Sequence, residues 1–333
     1  MRKNKLLYSD KIFIAGANGM VGSAIHRQLK IKGYGDSQKG GSILTPSRKE
    51  LNLLCTNDVK EWFEKNKPQI VIDAAAKVGG ISANKQYPAE FILENLKIQN
   101  NIIENSWRVK AKRLIFLGSS CIYPKFSKQP IKEEYLLDGP LEQTNYAYAI
   151  AKIAGIKLCE AIRTQYGFDA LSVMPTNLYG PNDNYHQENS HVMAALIKRF
   201  SESVKYNKKE VVCWGSGQPM REFLHVDDLA LAVIFLLNNW YPEDKNSPKN
   251  CDGSNLYHLN VGTGKDISIG DLAKKIANLV GFNGKIIWDI TKPDGTPKKQ
   301  LDINKILKLG WHPSIGLDKG LKITIKDFHE NYL

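Results

Sequence analysis

The sequence predicts an α/β protein: a Rossmann-type, doubly wound parallel sheet followed by a smaller C-terminal α/β substrate domain. Three observations predict it. Short apolar runs alternate with longer helical stretches through the first half of the chain. A glycine-rich turn joins the first apolar run to the first helix. After Asn177-Leu178-Tyr179-Gly180-Pro181 the rhythm changes to shorter, more polar elements. Strands that alternate with helices pair in parallel, and the crossover helices cover both faces of the sheet.

Lys11-Ile12-Phe13-Ile14-Ala15 is the first strand, and an amphipathic helix follows over residues 23–30. Further strands are expected at 43–44, 70–72, 114–117 and 170–173, with helices over 57–66, 89–109 and 146–166. Beyond residue 180 the pattern predicts a polar loop at 183–190 and a helix at 192–204. It then predicts a glycine-rich turn at 214–217, a strand at 256–261 and a loop at 292–297. These boundaries predict a dinucleotide-binding domain over 1–180, with a return segment near 222–262. The substrate domain spans 181–333, mainly 181–221 and 263–333.

A chain of 333 residues with 42% hydrophobic content can bury a large core. No apolar stretch approaches the roughly 18 residues of a membrane helix; the longest, 229–237, reads as a buried helix. Five scattered cysteines (Cys55, Cys121, Cys159, Cys213, Cys251) form no CxxC pair. That favours reduced thiols in the cytoplasm and argues against a metal site. The net charge of +12 suits anionic small molecules. The lysines are spread singly with no run of five basic residues, which argues against nucleic acid.

Gly16-Ala17-Asn18-Gly19-Met20-Val21-Gly22 follows a strand and opens a helix. Glycines at this spacing let the backbone approach a pyrophosphate at the helix N-terminus. The end of the second strand reads Thr45-Pro46-Ser47-Arg48-Lys49. A basic side chain such as Arg48 suits a 2′-phosphate, so NADP(H) is expected, although Glu50 follows immediately.

Ser119-Ser120-Cys121 closes a predicted strand, and Tyr148 and Lys152 lie four apart on a predicted helix, hence on one face. A lysine cation beside a tyrosine favours the phenolate and is expected to lower its pKa. A serine hydroxyl can hold a carbonyl oxygen. The set suits proton transfer coupled to hydride transfer at a C–O centre. Read by residue type alone, Cys121 is a small buried hydrophobe and His191 a helix N-terminal residue beside Ser190, or both are titrating groups of the site.

The glycine turn, Ser119 and Tyr148-xxx-Lys152 resemble the extended short-chain dehydrogenase/reductase superfamily. Longer strings narrow the resemblance: AAAKVGGI (74–81), LGSSCIYPK (117–125), YAIAKIAGIKLCE (148–160), MPTNLYGP (174–181), SHVMAAL (190–196), WGSGQPMREFLHVDD (214–228) and KPDGTPKK (292–299). Together they resemble the GDP-4-keto-6-deoxymannose 3,5-epimerase/4-reductases over residues 12–311. That family inverts C3 and C5 of GDP-4-dehydro-6-deoxy-D-mannose, then reduces the C4 ketone with NADPH to give GDP-L-fucose.

The resemblance implies that Cys121 is the base and His191 the acid of epimerisation. It implies that Ser119 and Tyr148 hold the ketone oxygen before Tyr148 donates the final proton. Around NADP it implies Leu117, Gly118, Ser119, Ser120, Lys152, Pro175, Thr176, Asn177, Leu178 and His191. Around the GDP-sugar it implies Arg199, Trp214, Arg221 and Asp294, with Asn177 orienting groups near the ketone. Arginines suit a diphosphate and an indole packs on a base or sugar; the plainer readings are a solvated Arg199 and a core Trp214. A homodimer through the helices at 89–109 and 146–166 is also implied.

Two departures stand out. Asn18 replaces an arginine that many family members carry, and residues 32–43 look like an inserted, mobile surface loop. A 4-epimerase or dehydratase of the same fold is the competing enzyme. The former needs no base beside C3 and C5, and the latter is expected to carry an acidic pair where Ser119-Ser120-Cys121 stands. A non-enzymatic redox sensor or RNA-binding module is disfavoured by the intact Ser, Tyr and Lys set.

Overall fold

The computed structural model describes residues 4–186, 190–292 and 294–333. In chain order the first part comprises β1 (Lys11–Ala15), α1 (Met20–Ile31), β2 (Ser42–Leu44), α2 (Thr56–Asn66), β3 (Ile70–Asp73), α3 (Ile81–Gln86), α4 (Pro88–Arg108), β4 (Arg113–Leu117), α5 (Tyr146–Tyr166), β5 (Ala170–Pro175) and β6 (Asn177–Tyr179). The remainder comprises α6 (Val192–Lys205), β7 (Glu210–Trp214), β8 (Met220–His225), α7 (Val226–Asn239), β9 (His258–Val261), β10 (Asp266–Ser268), α8 (Ile269–Val280), β11 (Lys285–Asp289), β12 (Lys298–Lys299), α9 (Asn304–Lys308) and α10 (Leu317–Asn331). The predicted loops at 183–190 and 292–297 fall partly on residues 187–189 and 293, outside the described residues.

Six parallel strands form the central sheet in the order β2-β1-β3-β4-β5-β9. β3, β4 and β5 are buried along their whole length, which is why their sequences are nearly continuous apolar runs rather than alternating ones. α4 packs along α5, and α1 along α7, and one core cluster joins strands and helices. The chain moves from β1 outward to β2 and then to β3 on the other side. That reversal opens a crevice beyond the carboxyl ends of β1 and β3, the usual place for a ligand in such sheets.

A second core lies among α6, α8 and α10, around Phe200, Leu272, Ile276, Leu321 and Phe328. Its strands form a β10-β8-β12 sheet with β6 also on β8, and a parallel β7–β11 pair. β6 therefore leaves the central sheet only two residues after β5. Glu222 on β8 fastens the crossing: its carboxylate accepts the N–H groups of Thr263 (2.6 Å), Gly264 (2.8 Å) and Leu301 (2.7 Å). Burial raises this carboxyl's pKa and those backbone bonds oppose the rise.

The 32–43 segment is at the surface, but it is tied down where a mobile loop was expected. Tyr34 stacks on Tyr8 with ring centroids 4.8 Å apart, and the Asp36 side chain caps a short turn at Ser37–Lys39.

Candidate active site

The turn after β1 is built from backbone. Gly16 has φ +76°, and a Cβ there would lie 2.8 Å from the Ala74 carbonyl oxygen just past β3. A Cβ at Gly22 would lie 2.2 Å from the Gly16 carbonyl oxygen. Gly19 caps α1 without any side-chain bond, and the first helical turn contains no acidic residue. Its N–H groups and the helix dipole are thus left to an anion, and the cradle formed by residues 16–22 fits a dinucleotide pyrophosphate. Ala17 is buried, whereas Asn18 is exposed. Past β2, the Glu50 carboxylate accepts the Ser47 N–H at 2.7 Å, a bond that holds its pKa below the usual value. The acidic side chain at this strand end is engaged with its own backbone, and Arg48 stands exposed beside it.

At the end of β4, Gly118 passes so close to Met174 that a Cβ would meet its sulfur at 2.5 Å. Ser119 then caps a single 3-10 turn over Ser120–Ile122, its Oγ accepting the Cys121 N–H at 3.3 Å. Across from it, α5 presents Tyr148 and, one turn on, Lys152. The Tyr148 ring packs edge-on to Phe91 of α4, with centroids 6.3 Å apart. The Lys152 ammonium is buried; it donates to the Leu117 carbonyl at 2.8 Å and lies 5.9 Å from the Tyr148 ring centroid.

The expected lowering of the Tyr148 pKa does not occur. Burial and then the Cys121 side chain push it well up, and a hydrogen bond with Ser119 only partly offsets them. The physical reason is that Lys152 is drawn toward the Leu117 carbonyl while the phenol loses water.

Cys121 is buried and is an electrostatic neighbour of Tyr148, Lys152 and Lys299. Lys299 in turn neighbours His191 and Arg221. His191 sits at the head of α6, exposed to solvent yet enclosed by protein, as a cleft-lining residue is. Desolvation first, and the Lys299 charge second, lower its pKa below the usual 6.5. Pro175, Thr176, Asn177 and Leu178 carry the chain from β5 to β6; Asn177 Nδ2 donates to the Glu222 carbonyl at 2.8 Å and Thr176 Oγ1 to the same atom at 3.2 Å.

A second group lies on the β7–β8 side. Arg199 is half-buried, with its guanidinium 4.9 Å from the Trp214 ring centroid and a bond to the Val212 carbonyl at 3.1 Å. Trp214 is half exposed, which removes the core reading. The Lys292 ammonium lies 5.7 Å from the same ring. Asp294 accepts the Ser216 N–H (2.9 Å) and hydroxyl (2.6 Å), and these bonds lower its pKa. Burial lowers the pKa of Arg221, and Asp294 opposes that shift.

Residues 12–251 match the NAD dependent epimerase/dehydratase family. The chain belongs to this family. Among its relatives, "GDP-L-fucose synthase 1" of Arabidopsis thaliana is 51% identical over 97% of this chain and 94% of its own length. "GDP-L-fucose synthase" of Escherichia coli is 50% identical over 97% of each. The crystal structure of a GDP-L-fucose synthetase from Naegleria fowleri bound to NADP has a TM-score of 0.84 and 29% identity, covering 98% of this chain and 96% of that one.

In this family member, two site features escaped sequence reading. Lys299 was visible only as part of the KPDGTPKK string. Its place depends on β12 pairing with β8, which sets Lys299 against Arg221. Asp73 ends β3 as an acid inside an apolar strand, buried near Lys152. A charged residue in such a run is itself a signal.

Proposed function

We propose that this protein converts GDP-4-dehydro-6-deoxy-D-mannose to GDP-L-fucose by 3,5-epimerisation followed by NADPH-dependent reduction. The observation that carries this reading is a buried Cys121 that is an electrostatic neighbour of both Tyr148 and Lys299, with His191 in turn a neighbour of Lys299. A plain ketone reductase needs the pair and not the thiol. The GDP moiety is assigned to the 181–221 and 263–333 unit. Arg199 and Arg221 meet the diphosphate, Trp214 offers its exposed face, and Asp294 positions the loop around Ser216.

The ketone oxygen sits between the Ser119 and Tyr148 hydroxyls. Protons at C3 and C5 are acidic because the charge left on their removal moves to that oxygen, where the two hydroxyls stabilise it. The Cys121 sulfur takes each proton from one face, and His191 returns one from the other. When bound, NADPH supplies hydride to C4. Tyr148 then donates its proton to the oxygen, and the Lys152 ammonium beneath it stabilises the phenolate that remains. Burial first, and the Cys121 side chain second, hold the phenol protonated beforehand, so the proton donor is loaded at neutral pH.

The exposed Leu93 on α4 supports a homodimer through α4 and α5, which light scattering would measure. All five cysteines are free, which supports a cytoplasmic setting.

The test is incubation with the 4-keto sugar in D2O. Deuterium should enter C3 and C5, and NADPH should then be oxidised with GDP-L-fucose as product. A Cys121→Ser variant should lose the exchange by about a hundredfold or more while still reducing the ketone, giving a 6-deoxy sugar that is not fucose. Unchanged exchange in that variant removes Cys121 from the chemistry.

A further inference from the structure

Beneath the Tyr148–Lys152 pair lies a buried polar layer that the steps above do not use. Strand register places Asp73 of β3, Phe116 of β4 and Ser172 of β5 side by side on one face of the sheet. α5 covers that face. A Cβ on Gly155 would meet the Phe116 ring at 2.5 Å, and the Lys152 ammonium lies 4.6 Å from the centroid of the same ring. Cys159, further along α5, is a neighbour of Ser172 on that face. Asp73 is fully buried. Its Oδ1 accepts the Ala75 N–H at 3.1 Å, and its buried Oδ2 has no hydrogen-bond partner.

A carboxylate so poorly solvated persists in a folded core only if a charge elsewhere compensates it. The cation that acts on Asp73 is Lys152. Lys152 is faced by Asp73 from β3, Cys121 from the turn after β4, and Cys159 and Tyr148 from its own helix. α4 contributes the uncharged Gln99, whose amide donates to the Ala151 carbonyl at 2.6 Å.

We propose that Asp73 is a positioning residue of the reaction: a buried counter-ion that keeps the Lys152 ammonium charged beneath Tyr148. This rests on the Tyr148–Lys152 role given above. Burial lowers the Lys152 pKa, and Asp73 heads the groups that oppose the fall. The Asp73 carboxyl itself is raised to about 6, so it is ionised at neutral pH. Removing its charge lowers the Lys152 pKa further, and the ammonium is then lost at a lower pH. The effect therefore falls on the alkaline side of the profile.

The experiment compares the parent with Asp73→Asn, and with Asp73→Leu in case the amide variant misfolds. The alkaline limb of kcat/KM for ketone reduction should move to lower pH by about one unit, a tenfold loss at fixed pH on that limb. The acid side should be unchanged. In 13C-lysine-labelled protein, the Lys152 signal, assigned with Lys152→Arg, should titrate correspondingly earlier in either variant. A Lys152 titration identical in parent and variants, with only thermal stability altered, overturns the proposal. A parent that does not turn over the 4-keto sugar overturns the functional reading instead, and the lysine titration still decides the role of Asp73.

Discussion

The two ends of the cleft are made of different material. The cofactor end is backbone: three glycines, a bare helix N-terminus and no acidic side chain in the first turn. The proton-transfer end is side chain: Ser119, Cys121, Tyr148, Lys152, Lys299 and His191, drawn from four places in the chain, with the pKa values of Tyr148, Lys152, His191 and Lys299 shifted by burial and by charged neighbours. A backbone site has almost no tolerance for added atoms and little sensitivity to pH. A side-chain site tolerates conservative changes in shape and responds to charge. That contrast predicts how each end should fail.

The largest effect should come from Gly22→Ala. The new methyl group would sit 2.2 Å from the Gly16 carbonyl oxygen and 2.7 Å from the Ala17 Cα, both backbone, so nothing nearby can rotate away. The turn must open, and the N–H groups no longer converge on one anion. NADPH affinity should fall by about a hundredfold, near 3 kcal/mol, as measured by fluorescence titration. Deuterium exchange at C3 and C5, which needs no hydride, should survive if the variant stays folded. Wild-type affinity in Gly22→Ala would show that the cradle is not where the pyrophosphate binds.

Lys299→Gln should act in the opposite style. Lys299 is the second cause, after burial, of the lowered His191 pKa. Removing its charge lets that pKa rise toward the ordinary value. An acid catalyst works below its pKa and fails above it, so the falling limb of the exchange reaction should move to higher pH. A shift of a few tenths of a unit is expected, alongside a lower maximum because the cation beside Cys121 is gone. A limb that stays in place would detach His191 from the acid role.

The same contrast explains what could be read in advance. The glycine turn, the strand runs at 114–117 and 170–173 and the helix at 146–166 carry their signals within a few residues, because backbone geometry and strand burial are local demands. The structure places β4, β5 and α5 there, with α5 at the predicted bounds. Lys299 reaches the cleft only because β12 pairs with β8, and Asp73 meets Lys152 only because β3, β4 and α5 stack. Such juxtapositions have no local signature. The predicted phenol shift failed for a related reason: helical spacing put Lys152 beside Tyr148, but spacing says nothing of the Leu117 carbonyl that holds the ammonium or of the water excluded from the phenol.

Arg48 is where the comparison can be sharpened with the smallest effect. It is the one charged side chain proposed at the otherwise backbone-built end, and it is exposed, so its attraction for a phosphate is screened by water and salt. Asn18 offers no charge in the glycine turn, and Glu50 is occupied by the Ser47 N–H. Arg48→Ala should therefore raise the KM for NADPH by roughly three- to tenfold, about 1 kcal/mol, and leave the KM for NADH unaltered. The difference should shrink as ionic strength rises. Equal losses for both cofactors would mean that Arg48 supports the fold of the β2 end rather than the 2′-phosphate. No loss with either would leave cofactor choice at this end to backbone shape alone.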